Sequence, residues 1–271
     1  MNATAIASGA IASRGSTAPG SQPGGRLAER RLAGSRVLVV GAGALGSPAA
    51  AHLATAGVGT IGIVDPDRVE LSNLHRQLLH GTADLGRPKV ASARERLQRH
   101  VPELTVEAIQ ARVGTANAAP LFARYDFIID CTDGFPAKFL INDAALQVGT
   151  PFSHAGVQGF LGQTLTVLPG RSACYRCVFT APPPDGAVPS CREAGVLGPV
   201  AAIIGTIQAT QAVAYLLGSP SLLVDRLLTY DALRTRWRQV RLARNPSCPA
   251  CAAIDRPSAH ERPAHREGAL S

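Results

Sequence analysis

The segment Arg36–Gly46, RVLVVGAGALG, constrains this chain more than any other stretch. An apolar, Val-rich run leads at once into Gly41, Gly43 and Gly46, spaced G-x-G-x-x-G, the pattern of a buried strand turning directly into a helix. At such a turn, backbone amides and the helix N-terminus can approach a phosphate without side-chain obstruction. Further Val- and Ile-bearing runs follow at Thr60–Val64, Thr105–Ile109 and Asp126–Asp130, with helical patterns over about Leu45–Ala56, Pro88–His100, Ala116–Ala123 and Pro136–Val148. Strands alternating with helices at this spacing specify βαβ units, hence an α/β fold with a doubly wound, mostly parallel, Rossmann-like sheet. The later stretches GQTLTVL, RLLTYDAL and RTRWRQVRL read as antiparallel strands that continue it.

A chain of 271 residues with 46% hydrophobic content can bury one sizeable core. One domain is expected over residues 26–254, between a disordered leader (1–25) and a disordered tail (255–271). Both end segments lack the apolar periodicity that would offset the entropy of ordering them. The leader also lacks the unbroken apolar run of about 7–15 residues that a secretory signal needs, so a cytoplasmic protein is expected. The formal charge is +8, yet the arginines are scattered and no basic stripe is interleaved with aromatics. That argues against nucleic acid and for a general attraction to anionic partners such as a nucleotide or an acidic protein. The uncharged stretch Gly198–Leu217 has the length of a membrane span, but its Thr206, Gln208, Thr210 and Gln211 mark it as a core or dimer-interface helix.

In an open parallel sheet, ligands bind beyond the carboxyl ends of the strands. Asp65, which closes the second strand, suits hydrogen bonds to ribose hydroxyls, and Asp67 lies in the same turn. VELSNLHRQ supplies Asn73, Arg76 and Gln77, and GRPKV supplies Lys89, so two cations and two amides lie within reach of the glycine loop. A nicotinamide dehydrogenase binds only a pyrophosphate and keeps a hydride path open, whereas adenylyl transfer must offset a triphosphate and its developing charge. The supply of cations therefore favours ATP. Asp133, just past the fourth strand, suits Mg²⁺ alongside phosphate oxygens, with a helix N-cap as the alternative reading.

The six cysteines divide by spacing. Cys174-x-x-Cys177 and Cys248-x-x-Cys251 form two knuckles, and four thiolates in tetrahedral array are the usual closed, structural zinc site; disulfides are the alternative. Cys191 falls in a Pro/Gly-rich segment beside Arg192, where a lowered thiol pKa would suit a nucleophile, with an inert loop thiol as the alternative reading. Cys131 follows a buried strand and is expected to be packed rather than reactive.

The string GAGALGSPAAAHLATAGVGTIGIVDPDRVELSNLHRQLLH, followed by GRPKVASARERL, DCTDGFPAKFLIND, CYRCVF, CREAGVLGP and NPSCPAC, resembles the ThiF/MoeB/HesA adenylyltransferases of the ubiquitin-activating-enzyme-like superfamily over about Ser35 to Cys251. The resemblance implies that Asp65 binds the ATP ribose, that Asn73, Arg76, Gln77 and Lys89 surround the phosphates, and that Asp133 positions Mg²⁺. It implies Arg76, Lys89, Asp133 and Cys191 as the catalytic set, with Cys191 matching a cysteine that links covalently to the carrier or its sulfur in some members. The substrate implied is a small ubiquitin-like sulfur-carrier protein ending in Gly-Gly, whose terminal carboxylate becomes an acyl-adenylate and then a thiocarboxylate. A homodimer is expected, and a separate persulfide or sulfide donor, since no rhodanese extension follows Cys251.

Three positions depart from the family pattern. The N-terminal Arg-Tyr-x-Arg-Gln motif is absent, leaving Arg14, Arg26, Arg30 and Arg31 as the nearby arginines; Gly134 stands where an Asn is usual, and Lys138 where an Arg is usual. Two rival readings follow, an activator of another carboxylate (a peptide C-terminus or a tRNA-linked substrate) and a catalytically weakened, carrier-binding partner subunit.

Overall fold

The computed structural model describes residues 25–184, 187, 194–252 and 254. Arg14, Cys191, the expected tail and all but the last residue of the expected leader lie outside the described residues.

Eight strands form one sheet in the order β3-β2-β1-β4-β5-β6-β7-β8. The central strand β1 (Arg36–Val40) pairs in parallel with β2 (Thr60–Val64) on one side and β4 (Phe127–Asp130) on the other. Outside them, β3 (Thr105–Ile109) and β5 (Phe152–Gln158) extend the parallel set. The sheet then turns antiparallel through β6 (Leu161–Val167), β7 (Arg226–Asp231) and β8 (Arg236–Arg241). Strand order reverses between β1 and β4, because the chain runs outward through β2 and β3 before returning, and that reversal opens a crevice at the carboxyl ends.

Alternation along β1 sends successive side chains to opposite faces. Val37 and Val39 join one apolar cluster, while Leu38 and Val40 join the other. The first cluster is closed by α1 (Gly25–Ala33), α2 (Gly46–Ala56), α3 (Lys89–His100) and α7 (Gly198–Leu216). The second is closed by α4 (Ala118–Phe122), α5 (Phe135–Val148) and the cysteine knuckles, with the short α6 (Tyr175–Val178) between. The sequence reading gave no helix at α1, which begins at the last residue assigned to the leader. Its buried Ala28 and Leu32 lie one turn apart and face the core together.

The apolar segment α7 is long and apolar enough to cross a membrane by length and composition, yet it packs as a core helix against α2, β5 and β6. Gln208, fully buried in it, donates to the carbonyls of Asp130 (2.9 Å) and Ser153 (3.0 Å), so its amide is satisfied by the sheet. Close approach of α7 to α2 depends on Gly205, where an added Cβ would fall 2.3 Å from the Leu45 carbonyl oxygen. Gly205→Ala is expected to cost about 1–3 kcal/mol through overpacking against backbone. Urea unfolding checks it, and an unchanged midpoint would refute this account of the packing.

Candidate functional site

Two glycines explain how the turn after β1 is made. Gly41 has φ +103°, a left-handed-side conformation that side chains disfavour, and a Cβ there would meet the Cys131 carbonyl at 2.9 Å. A Cβ on Gly46 would fall 1.8 Å from the Gly41 carbonyl oxygen, so the helix can start this close to the strand only with glycine. Gly43 faces the cavity, whereas Gly46 is buried and serves the turn rather than lining the space.

Asp65, at the tip of β2, is buried and fastens the loop by accepting from the Ala42 amide (2.7 Å) and the Asp67 amide (2.8 Å). Each carboxylate oxygen has a further lone pair, which leaves acceptor capacity toward the cavity. On the far side of the loop, His80 bridges the Ala42 carbonyl (3.0 Å) and Ser92 of α3 (2.9 Å). Burial pushes the His80 imidazole below its ordinary pKa, consistent with a neutral ring that donates at one nitrogen and accepts at the other.

Lys89, the first residue of α3, is buried, and its Nζ lies 3.0 Å from Asp67 Oδ2. Gln77 Nε2 donates to Asn73 Oδ1 (2.8 Å), while the buried Gln77 Oε1 has no partner among the described residues. Arg76 is tethered through Nη1 to the Ser72 carbonyl (3.0 Å). Asp133 stands exposed at the cavity rim and makes no hydrogen bond or ion pair among the described residues. The cap position of α5 belongs to Gly134 with no side-chain cap bond, so the N-cap alternative for Asp133 is not what the structure has.

These residues converge. Gly41, Gly43, Asp65, Asp67, Asn73, Arg76, Gln77, Lys89 and Asp133 all line one cavity of about 1850 Å³ beyond the ends of β1, β2 and β4. Space of that size exceeds the roughly 300–1,000 Å³ of a typical small-molecule pocket, so it holds room for a nucleotide and more.

Sequence reasoning missed what supports the Asp133 loop. Buried Lys138 donates to the carbonyls of Thr132 (2.7 Å) and Ala155 (2.6 Å) and lies 3.4 Å from Asp130 Oδ2, tying the tips of β4 and β5 together. Asp130 also accepts from the Thr132 amide (3.0 Å) and hydroxyl (2.7 Å). Burial alone would raise the Asp130 pKa, but the Lys138 charge and hydrogen bonds from His154 and Thr132 hold it well below the usual carboxylate range. His154 is pushed down to about 4, chiefly by burial and then by Lys138, so at neutral pH its uncharged Nδ1–H donates to Asp130 (3.1 Å). The wall continues along β5 to β8, where Gln158, Gln163, Thr229, Arg236 and Arg238 line the same cavity. A lone His in PFSHAG and arginines scattered along a late hairpin carry no local signal of this convergence.

Cys131 is buried and burial pushes its thiol well above the ordinary value, which makes it a packed thiol as expected. Cys174, Cys177, Cys248 and Cys251 gather into a cluster whose sulfurs all lie within 4.8 Å of one another, with contacts of 3.8, 3.6 and 3.5 Å. A tetrahedral metal at about 2.3 Å from each sulfur requires sulfur–sulfur edges of about 3.8 Å, so the cluster could hold zinc as it stands. Arg26, Arg30 and Arg31 on α1 do not line the cavity of their own chain.

Comparison with known proteins agrees with the geometry. The model of the ThiF family matches residues 21–250. The chain is 44% identical over 229 residues to the sulfur carrier protein adenylyltransferase of Thermus thermophilus, covering 83% of this chain and 84% of that protein. It is 42% identical to the SAMP-activating enzyme E1 of Haloferax volcanii, covering 79% of each. It is also 43% identical to the probable adenylyltransferase/sulfurtransferase MoeZ of Mycobacterium tuberculosis, covering 78% of this chain but only 55% of that one. Among solved structures, E. coli MccB superposes with a TM-score of 0.76 at 20% identity, covering 88% of this chain and 70% of that chain, a likeness of fold.

Proposed function

The chain belongs to the ThiF family, and from that premise we propose that it is an ATP-dependent adenylyltransferase acting on the C-terminal glycine carboxylate of a small ubiquitin-like sulfur-carrier protein. The names borne by its relatives in Thermus and Haloferax support that substrate class. The observation that carries the reading is the single cavity in which the glycine loop, Asp65, Arg76, Lys89 and Asp133 meet.

In this reading the glycine-loop amides and the start of α2 receive phosphate oxygens, and Asp65 accepts from the ribose. Arg76 and Lys89 offset triphosphate charge in a partly dry site, where fixed cations act more strongly than in water. The carrier carboxylate attacks the α-phosphorus, the bond to the bridging oxygen of pyrophosphate breaks, and an acyl-adenylate forms. Asp133, with no partner of its own among the described residues, is the group that would hold Mg²⁺ against the phosphates. Zinc in the four-cysteine cluster would have no open coordination position and would act structurally.

We assign the displacement of AMP to the Cys191 thiolate, which gives an acyl thioester, and the later displacement of Cys191 to sulfide from a separate donor, which gives the thiocarboxylate; where the donor is a persulfide, a second thiol reduces the resulting acyl disulfide. The resemblance also implies an arginine contributed to the site by a neighbouring subunit, and we assign that role to Arg26, Arg30 or Arg31 of a second copy of this chain, since none of the three lines its own cavity. The chain spans about half the length of MoeZ, and the sulfurtransferase activity in that name is not carried over.

Carrier-dependent exchange of labelled pyrophosphate into ATP tests the proposal. Exchange that needs a protein ending in Gly-Gly supports it. Carrier binding without exchange would replace it with the partner-subunit reading, and NADH binding in the cavity would replace it with a dehydrogenase.

A further inference from the structure

The antiparallel end of the cavity holds three cations that the adenylation chemistry does not use, Arg234, Arg236 and Arg238, of which Arg234 is paired with Asp231. Strand β8 is exposed along its whole length, and Arg236 and Arg238, two residues apart on one sheet face, both line the cavity. Neither makes an ion pair or side-chain hydrogen bond among the described residues. Their cross-strand neighbours are Asp231 and Thr229. Asp231 is already occupied by Arg234 at 2.9 Å, so the local acid does not neutralise the pair.

Position excludes the nucleotide as their partner. From β4, whose tip precedes Asp133, β8 is four strands away, or about 19 Å at the usual strand spacing of about 4.8 Å. The glycine loop after β1 is one strand farther still, so phosphates bound there lie out of reach. The same span equals about six residues of extended chain at about 3.3 Å each.

Resting on the reading above, we infer that Arg236 and Arg238 form the docking contact for an acidic patch on the carrier protein, lying about six residues upstream of its terminal carboxylate. The carrier's last residues then lie extended along the β5–β7 wall, past Gln163 and Thr229, to deliver the carboxylate beside Asp133. Sign complementarity sets the partner's chemistry, because two unpaired guanidinium groups on an open wall recognise carboxylates by charge-assisted, bidentate bonds. A protein is favoured over RNA because the aromatics of this hairpin, Tyr230 and Trp237, stack on each other at 4.2 Å instead of interleaving with the arginines.

The test measures equilibrium binding of a fluorescently labelled ubiquitin-like protein ending in Gly-Gly to the full chain, without ATP, for wild type, R236E/R238E and the milder R236Q/R238Q. Charge reversal is expected to weaken binding at least about 10-fold, with the Gln pair intermediate, and to flatten the dependence of affinity on salt. The KM for ATP in pyrophosphate exchange should stay within about two-fold in both variants, which also reports on folding. Carrier affinity unchanged within two-fold in the variants overturns the inference. So does arginine-dependent binding of a 30-nucleotide RNA that leaves carrier binding untouched. A wild-type chain that binds the carrier through these arginines but shows no exchange would sink the adenylyltransferase reading and leave this one standing.

Discussion

Replacing Asp133 by alanine is expected to lower carrier-dependent pyrophosphate exchange by about 10²–10³-fold, the usual scale for removing one preorganised group from a charged transition state. The expectation rests on the contrast between this carboxylate and its neighbour. Asp130 is buried and bound to Lys138, His154 and Thr132, so it serves the shape of the loop. Asp133 is exposed at the cavity and unpartnered among the described residues, and a carboxylate held that way is available to a cation. Because it makes no internal bond, Asp133→Ala should leave thermal stability within about 0.5 kcal/mol of wild type, the range of ordinary surface changes. Raising Mg²⁺ should recover part of the wild-type rate in Asp133→Asn and little in Asp133→Ala. Full exchange in the alanine variant would remove Asp133 from the chemistry.

Stripping metal from the cysteine cluster is expected to lower the melting temperature by about 10 °C or more. Cys174 and Cys248 are 74 residues apart, and a cross-link closing a loop of that length stabilises by about 4 kcal/mol in the chain-entropy view. In a domain of this size, each kcal/mol shifts the midpoint by about 2–4 °C. The neighbouring bonds depend on the knuckle staying closed. The Asn245 amide donates to Cys177 Sγ (3.4 Å), and Arg244 holds the carbonyls of Gly170 (3.1 Å) and Ile254 (2.9 Å). One zinc per chain by elemental analysis, lost in Cys248→Ser together with the stability, is the expected result. A metal-free chain of full stability would count against zinc and leave the cluster as packed thiols. Once Mg²⁺ is resupplied, exchange activity per folded molecule should survive mild chelation, since the cluster lies outside the cavity lining.

Much of the parallel half was legible because β1, β2 and β4 are buried on both faces and read as nearly unbroken apolar runs, while the edge strand β3 is only partly buried. Three of the four expected strand spans coincide with β1, β2 and β3, and the fourth differs from β4 by one residue. Strand β5, FSHAGVQ, carried no such signal. Its Ser153, His154 and Gly156 are polar or small: the Ser153 hydroxyl meets Thr164 of β6, His154 donates to Asp130, and Gly156 faces the open cavity. Helix α1 was hidden by its charge, with only Ala28 and Leu32 turned inward.

Of the residues proposed for the nucleotide, Asp65 and Asp133 were legible because they follow closely on recognisable strands and Lys89 because it opens a recognisable helix, whereas Asn73, Arg76 and Gln77 lie in the turns after β2 and were legible through the motif they share. Lys138 was noticed only as a departure from a pattern. Its burial beside Asp130 depends on two strand tips that sequence separation does not bring together. Arg236 and Arg238 could not be assigned to the cavity until the order of β4 through β8 was known.

The change from parallel to antiparallel pairing at β5 and β6 divides the labour of the sheet. The residues proposed to handle the triphosphate sit just past the parallel strands and on the turns and helix that follow them, where crossover helices fix the backbone and a sequence change propagates into the core. The β7–β8 hairpin, joined to the rest through β6 and ending at a free edge, can exchange its outward residues at little cost to folding. Partner choice can therefore diverge among such chains while the reaction they perform stays the same.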